Sequence, residues 1–451
     1  MQQRNPIAQQ PVTASARQSG PRFLNLRSAL VAGALGLAFP AHAAEPSMAQ
    51  LAAEVASLKQ QLAQVEQQLQ QQQSTQDQQA RQIASTAQRS AEASKTTIGG
   101  YGEVNYHNLR ADQYDSSGNP TGTANNDLVD LRRLVLFVGH DFSDSLRLRS
   151  EIEFEHAKLA GDEAAACGAS GGTDCGPGSR GEVDIEQAYL EKDFSPNLTA
   201  RAGVFLMPIG IINESHEPPT FYGVERNPVE INIIPSTWDE PGVGLTYQVS
   251  DGLTLDTALT TGFKLDSATD YAIYEGPQDA AKAGANHGAL TARLKWTAVP
   301  GLTLAASANY QSNISQGSDP NAGNAWLATA DAVWSRGPFT LKALYAQWNL
   351  AGSGPKAVGA DLQRGWYLEP SYMLSEHLGF FTRYNRWNNQ AGSQGPGGTQ
   401  YSQWNLGFNY WLSPGVVIKA DYQHERIPRL GVQSDETTPG TGFNLGVGYQ
   451  F

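Results

Sequence analysis

The amino-acid sequence predicts an all-β protein: a 16-stranded antiparallel transmembrane β-barrel preceded by an N-terminal α-helical coiled-coil segment. In the last stretch of the chain, apolar side chains alternate with polar residues or glycine, at Phe443, Leu445, Val447, Tyr449 and Phe451. The same two-residue alternation recurs from Thr96 onward, and tight turns alternate with long connections. Almost no helical period supplies a covering layer, so we expect the apolar faces to meet lipid and the polar faces to line water.

Composition is compatible with such a barrel. The chain has 451 residues, 40% of them hydrophobic, and its mean hydropathy is −0.40. That value suits a barrel, because only alternate strand residues meet lipid. No apolar run in the sequence reaches the length of a membrane-spanning helix. The net charge of −13 argues against nucleic acid as a partner.

Residues 1–43 have the three parts of a secretory signal peptide. Arg22 and Arg27 precede a short apolar run at 28–39, and Ala41-His42-Ala43 follows as a cleavage site. A buried helix of a soluble domain is the alternative interpretation. We predict cleavage before Ala44 and export from the cytoplasm. Removing this leader, which holds four arginines and no acid, changes the net charge to −17.

Residues 44–95 form the predicted coiled-coil segment, on the periplasmic side. Apolar residues recur there at alternating spacings of three and four: Met48, Leu51, Val55, Leu58, Leu62, Val65 and Leu69. Three heptads in one phase are typical of a coiled coil, and here one would hold three barrels together. The alternative is a polar linker without fixed structure.

From residue 96 to residue 451 we predict the barrel, because turn residues divide this part of the chain into hairpins. Tight turns rich in Gly, Pro, Asp, Asn or Ser are predicted at 142–145, 194–197, 249–252, 299–301, 336–338, 374–377 and 412–415. Long connections are predicted at 111–126, 160–181, 208–238, 267–285, 315–323, 351–360, 391–400 and 428–439. Eight long connections and seven tight turns give about sixteen strands, and an even count suits closure.

Charged residues on the non-lipid faces predict an aqueous interior. In the strand 146–155, Arg147, Arg149, Glu151 and Glu153 share one face. In 183–192 we assign Asp184, Glu186 and Lys192 to the interior, and Val183, Ile185 and Tyr189 to lipid. The predicted pore-wall residues are Arg132, Arg133, Arg147, Arg149, Glu151, Glu153, Arg201, Arg293, Lys295 and Lys419. The alternative is a solvated face of a soluble protein.

Neither cofactor nor catalytic chemistry is predicted. Cys167 and Cys175 lie eight residues apart in a Gly-rich stretch, where a disulfide or two free thiols would fit. A metal pair is disfavoured because no Cys-x-x-Cys or clustered His accompanies them. The match of 168–172 to G-x-S-x-G has no helix after it, so an esterase nucleophile is not expected.

Several motifs together resemble one bacterial family. They are Ile98-Gly-Gly-Tyr-Gly-Glu-Val104, Leu131-Arg-Arg133, 181–193, Ala202-Gly-Val-Phe-Leu-Met-Pro-Ile-Gly210 and the terminal Phe451. This set is similar to the outer-membrane porins typified by the phosphate-selective porins O and P. The resemblance implies a sixteen-stranded homotrimer in the outer membrane of a Gram-negative bacterium, with its third loop folded into the lumen. It also implies that Phe451 is the assembly signal for the barrel-assembly machinery.

The third long connection is the predicted constriction of the pore. Its candidate residues are Glu214, His216, Glu217, Glu225, Arg226 and Glu230. Opposed to basic wall residues, its acids would set a transverse field that favours small polar solutes. The alternative is that these charges form ion pairs that brace the wall. For His216 we expect a solvated or hydrogen-bonded role rather than a ligand role.

The leading functional hypothesis is a porin for passive diffusion of small hydrophilic solutes and ions, surrounded by outer-membrane lipid. The resemblance implies phosphate or other anions, whereas four glutamates against one arginine in the third connection favour cations. One alternative is a non-conducting barrel that acts as an envelope tether or adhesin. Another is a secreted, soluble β-rich binding or degradative protein.

Overall fold

The structure is a computed structural model that describes residues 95–114, 120–156, 181–395, 399–426 and 440–451, with scattered positions between 48 and 67. The chain divides into two compact units, Met1–Ala87 and Gln88–Phe451. In the first unit, every described residue is α-helical and exposed, including Met48, Val55 and Leu62. The predicted pairing into a coil, the leader, Cys167 and Cys175 lie outside the described residues. Among the described residues, no helix has the length and hydropathy to cross a membrane.

The second unit is a closed antiparallel barrel of sixteen strands, which confirms the predicted fold. Each strand pairs with the next one in the chain, and β1 pairs with β16 to close the sheet. The strands are β1 Thr96–Tyr114, β2 Pro120–Ser143, β3 Leu146–Glu155, β4 Val183–Ser195, β5 Leu198–Leu206, β6 Asp239–Ser250, β7 Leu253–Thr260, β8 Ala289–Val299, β9 Leu302–Gln311, β10 Ala325–Arg336, β11 Phe339–Leu350, β12 Leu362–Met373, β13 Leu378–Asn388, β14 Tyr401–Ser413, β15 Val416–Arg426 and β16 Thr441–Gln450.

Short helices occur in the long connections. They are the α-helical turns Val229–Asn232 and Ser353–Ala357, and the 3₁₀ turns Pro218–Thr220, Ser267–Thr269 and Ile273–Glu275. The tight turns lie where the sequence predicts them, at one end of the barrel. Three of them place Gly252, Gly301 and Gly337 at φ of +73°, +78° and +60°, a region in which a Cβ is disfavoured.

The first hairpin is longer than expected. β1 continues to Tyr114 and β2 begins at Pro120, so the predicted connection 111–126 is mostly strand. Its backbone ladder continues through Arg110 opposite Asn125 and Ala111 opposite Ala124. These residues show no alternation of apolar and polar side chains in the sequence, because strands that extend beyond the apolar band can meet water on both faces.

Apolar side chains face outward, as the alternation predicts. In β16, Phe443, Leu445 and Val447 are 59%, 49% and 46% exposed, whereas Asn444 between the first two is 1% exposed. Asn444 donates to Asp421 on the neighbouring strand from inside the barrel. A soluble protein would turn these apolar residues to its core, so the exposed apolar face is the lipid-facing surface expected of a transmembrane barrel.

A β-bulge in β4 reverses two of the predicted faces. Glu151 pairs with Gln187, but Glu153 pairs with Asp184, so β4 holds one extra residue between them. After the bulge, Tyr189 points inward, with its ring centroid 6.3 Å from that of Phe205. Lys192 lies opposite Leu146 on the outer face. The assignments of Tyr189 to lipid and of Lys192 to the interior are therefore wrong, because an inserted residue shifts the alternation.

The interior is polar on one side and apolar on the other. A cluster of buried apolar side chains, here called the inner cluster, lines the inner face of β10–β13 and meets the long connections that enter the barrel. Its strand members include Leu327, Leu344, Trp348, Tyr367 and Trp387. The sequence predicts a charged lumen. The strands β10–β13, however, carry apolar residues on both faces, so this part of the inner wall is largely apolar.

Candidate functional site: the loop inside the barrel

The connection between β5 and β6, residues 207–238, folds into the barrel and is here called loop 3. Its apolar residues join the inner cluster and are fully buried: Met207, Ile209, Val229, Ile233, Ile234 and Trp238. The Trp348 indole N–H donates to the Ile233 carbonyl oxygen at 2.9 Å. The ring centroids of Trp238 and Trp348 lie 6.1 Å apart. Loop 3 is therefore packed against the β10–β13 side of the wall.

Side chains of β13 and of the adjacent strands β14 and β15 hold the backbone of loop 3. Arg383 of β13 donates to the carbonyl oxygens of Tyr222 and Glu225, at 3.1 and 3.2 Å. Asp421 of β15 accepts the Val224 N–H at 2.8 Å. Two side chains of β14 donate to other loop carbonyls, Asn409 to Phe221 and Trp411 to Pro219. Loop 3 is thus held along the wall from β10 to β15, and it narrows the interior of the barrel.

Glu230 organises the loop from within. One of its carboxylate oxygens, Oε2, accepts the backbone N–H groups of Ile211 and Ile212, both at 2.8 Å. The other, Oε1, accepts from the Tyr367 hydroxyl at 2.8 Å and from the Asn227 amide at 3.2 Å. Burial raises the pKa of Glu230, and these donors act against that rise. At 1% exposure Glu230 does not line the water path, contrary to its assignment as a constriction residue.

His216 links loop 3 to β3 and β4. Its Nδ1 lies 2.9 Å from the Asn213 carbonyl oxygen, and its Nε2 lies 3.3 Å from Glu151 and 3.6 Å from Glu186. Each ring nitrogen thus faces acceptors, an arrangement that suits an imidazolium with two donors. Burial alone would lower the pKa of His216, but the hydrogen bonds to both glutamates raise it to about 9. The ligand atoms of these three side chains lie within 4.8 Å of one another, a spacing that could also hold a metal ion.

Several of the predicted wall residues form ion pairs on the inner face of β1–β4, β7 and β8. Arg133 contacts Glu103 at 2.9 Å and Glu153 at 3.2 Å. Arg147 donates to Asp193 at 2.6 and 2.8 Å and to Glu191 at 2.9 Å. Other pairs are Arg149 with Asp141 at 3.0 Å, Arg293 with Asp256 at 2.7 Å, and Arg293 with Glu214 of loop 3.

The remaining predicted residues differ in their contacts. The Lys419 ammonium lies 3.4 Å from the centroid of the Phe221 ring, and Arg201 lies over the Phe205 ring at 4.7 Å. Lys295 shares the inner face with Arg293 and has no hydrogen bond or ion pair to another described residue. Arg132 is the extra residue of a bulge in β2, where its guanidinium lies 2.9 Å from His156.

The three remaining predicted constriction residues are Glu225, Arg226 and Glu217, which differ in their contacts. Glu225 accepts from Asn105 at 2.9 Å and lies 3.2 Å from His107. Arg226 is buried and donates to Ser236 at 3.1 Å. The half-buried side chain of Glu217 has no hydrogen bond or ion pair to a described residue. Glu214 and Glu225 therefore contact the wall directly, while Glu217 is the acid left without a partner.

Sequence reasoning missed several residues that hold the loop. Arg383, its ion-pair partner Glu369 at 3.1 Å, Trp348 and His107 all point inward. In β13, residues Phe380 to Trp387 carry apolar side chains on both faces, so alternation does not reveal that Arg383 faces the lumen. A charged residue within an apolar strand was the available signal, because burying one requires a partner.

The chain is similar to known proteins in sequence and in fold. Residues 242–427 match the family model described as Gram-negative porin. An uncharacterized protein of Aquifex aeolicus (strain VF5) is 30% identical over 365 residues, 73% of this chain and 75% of that protein. The outer membrane channel DcaP of Acinetobacter baumannii has a TM-score of 0.52 at 17% identity, over 79% of this chain and 97% of its own. Salmonella typhi OmpF, in complex with daunomycin, has a TM-score of 0.51 at 14% identity, over the same shares.

Proposed function

We propose that this chain forms a water-filled channel in the outer membrane, through which small hydrophilic solutes and ions diffuse passively. Residues 242–427 match the Gram-negative porin family, and the chain belongs to one family with the Aquifex aeolicus protein. The observation that carries this proposal is a closed barrel of sixteen strands with a charged inner wall, narrowed by loop 3. Barrels of this size leave an aqueous channel unless something fills them. Family and fold favour a channel over an enzyme.

The two sides of the interior suggest the route. The inner cluster occupies the β10–β13 side, and its buried apolar side chains exclude water. The ion pairs of Arg133, Arg147 and Arg293 lie on the other side, together with Glu214 and Glu217 of loop 3. We expect solutes to pass along this charged side, where the transverse field disfavours apolar molecules.

A weak preference for cations fits the charges better than anion uptake. The guanidinium groups of Arg133, Arg147 and Arg293 each contact two or more carboxylates, so they offer little free positive charge to a passing anion. Apart from the buried Glu230, loop 3 contributes three glutamates against one buried arginine, Arg226. Phosphate uptake, which the resemblance to the porins O and P implies, has no unpaired arginine ladder among the described residues to support it.

The assembled protein is proposed to be a homotrimer, with the leader 1–43 removed and 44–95 as a periplasmic coil. The heptad pattern and the helical state of the described residues between 48 and 67 support the coil. Exposed Met48, Val55 and Leu62 lie at seven-residue intervals, as the core positions of a coil would.

Planar-bilayer recording of the purified full-length protein tests the channel and its selectivity together. Under a KCl gradient we expect stepwise conductance and a reversal potential with the sign of weak cation preference. Stable insertion without conductance would favour the alternative of a tether or adhesin. A strong anion preference would reject the cation assignment and restore the phosphate hypothesis.

A further inference from the structure

Three carboxylates from separate segments converge at the long-loop end of the barrel. Asp184 lies at the start of β4, Asp239 is the first residue of β6, and Asp279 belongs to the connection between β7 and β8. One carboxylate oxygen of each lies within 4.8 Å of the others. Like charges at this separation repel strongly, so the arrangement requires either protons or a cation.

The carboxylate of Asp239 is buried without compensation. Asp239 is 1% exposed, and its buried Oδ2 has no hydrogen-bond donor among the described residues. An ionised carboxylate that is buried without a partner strongly destabilises the folded state. The neighbouring acids have partners: Glu240 accepts from Trp238 and Gly262, and Glu186 accepts from Thr237 and lies 3.6 Å from His216.

Within the described part of the chain, no basic side chain forms an ion pair with the three aspartates. Asp184 accepts only the backbone N–H of Ile185 among the described residues, at 2.7 Å. Lys282 is the basic residue nearest to Asp279 in sequence, and within the described part of the chain it forms no ion pair. The three aspartates are therefore left facing one another.

We propose that Asp184, Asp239 and Asp279 bind a calcium ion. Calcium takes oxygen ligands at about 2.3–2.6 Å, so two ligands on opposite sides of one ion lie about 4.8 Å apart, which accommodates all three oxygens. Zinc would favour nitrogen or sulfur ligands, and the cluster has none. Water would fill the remaining positions, with access past the exposed side chain of Asp279.

The ion would join an entering loop to the wall. Residues 261–288, here called loop 4, place Phe263, Leu265, Tyr271 and Ile273 in the inner cluster. Calcium would tie Asp279 of this loop to β4 and β6, and so hold the loop over that cluster. The site does not depend on whether the channel conducts, because it rests on the positions of the three carboxylates alone.

Calcium titration of the full-length protein in detergent, after treatment with EDTA, tests the site by isothermal calorimetry. We expect one calcium per chain with a Kd of the order of 10⁻⁴–10⁻³ M, as in extracellular calcium modules. Asp279→Asn and Asp239→Asn should each weaken binding by about tenfold or more, because ligand charge sets calcium affinity. Asp270→Asn is the matched control: it removes the same charge from an exposed position of loop 4, at φ 50°, where Asn is well tolerated.

Folding of each variant is checked by heat-modifiable migration on gels. If Asp239→Asn fails to fold, the exposed position of Asp279 keeps the test decisive. Wild-type affinity in Asp279→Asn, or no binding up to about 10 mM CaCl₂, ten times the weakest expected Kd, would overturn the site. Equal affinity for magnesium would overturn its assignment to calcium. A calcium-dependent rise in Tm in the wild type and in Asp270→Asn, but not in Asp279→Asn, would support it.

Discussion

Glu230 illustrates what a single buried carboxylate does in this barrel. Its two oxygens receive four donors, from Ile211, Ile212, Asn227 and Tyr367. These contacts join the beginning of loop 3 to its helical turn and to β12. The acid is thus a structural centre of the loop, and its charge is not presented to solutes.

Glu230→Gln should loosen loop 3. The amide supplies one oxygen for four donors, so at least one donor, from backbone or side chain, loses its acceptor. We expect the free energy of unfolding in urea, measured in lipid vesicles, to fall by about 1–3 kcal/mol, the usual cost of an unsatisfied buried group. Open-channel noise should rise as well. Glu217→Gln is the control, since Glu217 lies in the same loop without a side-chain partner; equal losses in both variants would contradict this role of Glu230.

Loop 3 is the element on which the channel geometry depends, and His216 is its connection to β3 and β4. Because the folded-state pKa of His216 is raised from 6.5 to about 9, its charge contributes stability fully below pH 6.5 and loses it as pH rises through about 9. Above that value Glu151 and Glu186 would face each other without the imidazolium. Arg226 is buried nearby, and its positive charge lowers the pKa of His216.

Channel current should therefore become less steady between about pH 7 and pH 10, as His216 loses its proton. Single-channel recordings across this range should show increasing fluctuation in the wild type. His216→Gln should fluctuate at all pH values without a titration near pH 9, because it lacks the charge throughout. His377→Gln, in an exposed tight turn, should keep the wild-type profile. A pH dependence that persists in His216→Gln would assign the titration to another group.

Elements that obey simple periodicity were predictable. Tight turns carry residues chosen for their backbone geometry, and β3 and β16 alternate cleanly, so their bounds and faces follow from pattern alone. The bulge in β4 was not predictable, since one extra residue leaves no composition signal. The helical state of the described residues between 48 and 67 follows from the heptads, whereas the proposed pairing into a coil would depend on other chains.

The site was only partly predictable, for a different reason. Proline and isoleucine content marks loop 3 as ordered, and its acids as candidates for contact with wall arginines. Alternation places Arg293 inward, but the contact between Arg293 and Glu214 depends on how the loop crosses the barrel. The inner cluster depends in the same way on several long connections that meet the strands inside the barrel, a long-range arrangement that local sequence does not encode.

At the scale of the whole molecule, closure of the barrel depends on the pairing of the first strand, β1, with the last strand, β16. β1 and β16 pair from Tyr101 with Gln450 to Arg110 with Thr441. Beyond this ladder, Gly100 and Phe451 exchange two backbone hydrogen bonds, at 3.0 and 2.9 Å. A Cβ on Gly100 would lie 2.2 Å from the Val135 carbonyl oxygen, so the seam requires glycine there. The Phe451 side chain is 67% exposed, and the backbone alone makes the closing bonds.

Phe451→Ala separates assembly from stability. The backbone bonds to Gly100 remain and the lost side chain is mostly exposed, so the purified variant should refold in detergent with a free energy of unfolding within about 0.5 kcal/mol of wild type. In cells, its amount in the outer membrane should fall several-fold if the terminal aromatic is the signal that the assembly machinery reads. Phe443→Ala removes an equally large side chain, 59% exposed on the same strand, and should reach wild-type levels. If both variants accumulate to the same reduced level, or if Phe451→Ala also fails to refold when purified, the residue serves the barrel seam and not its recognition.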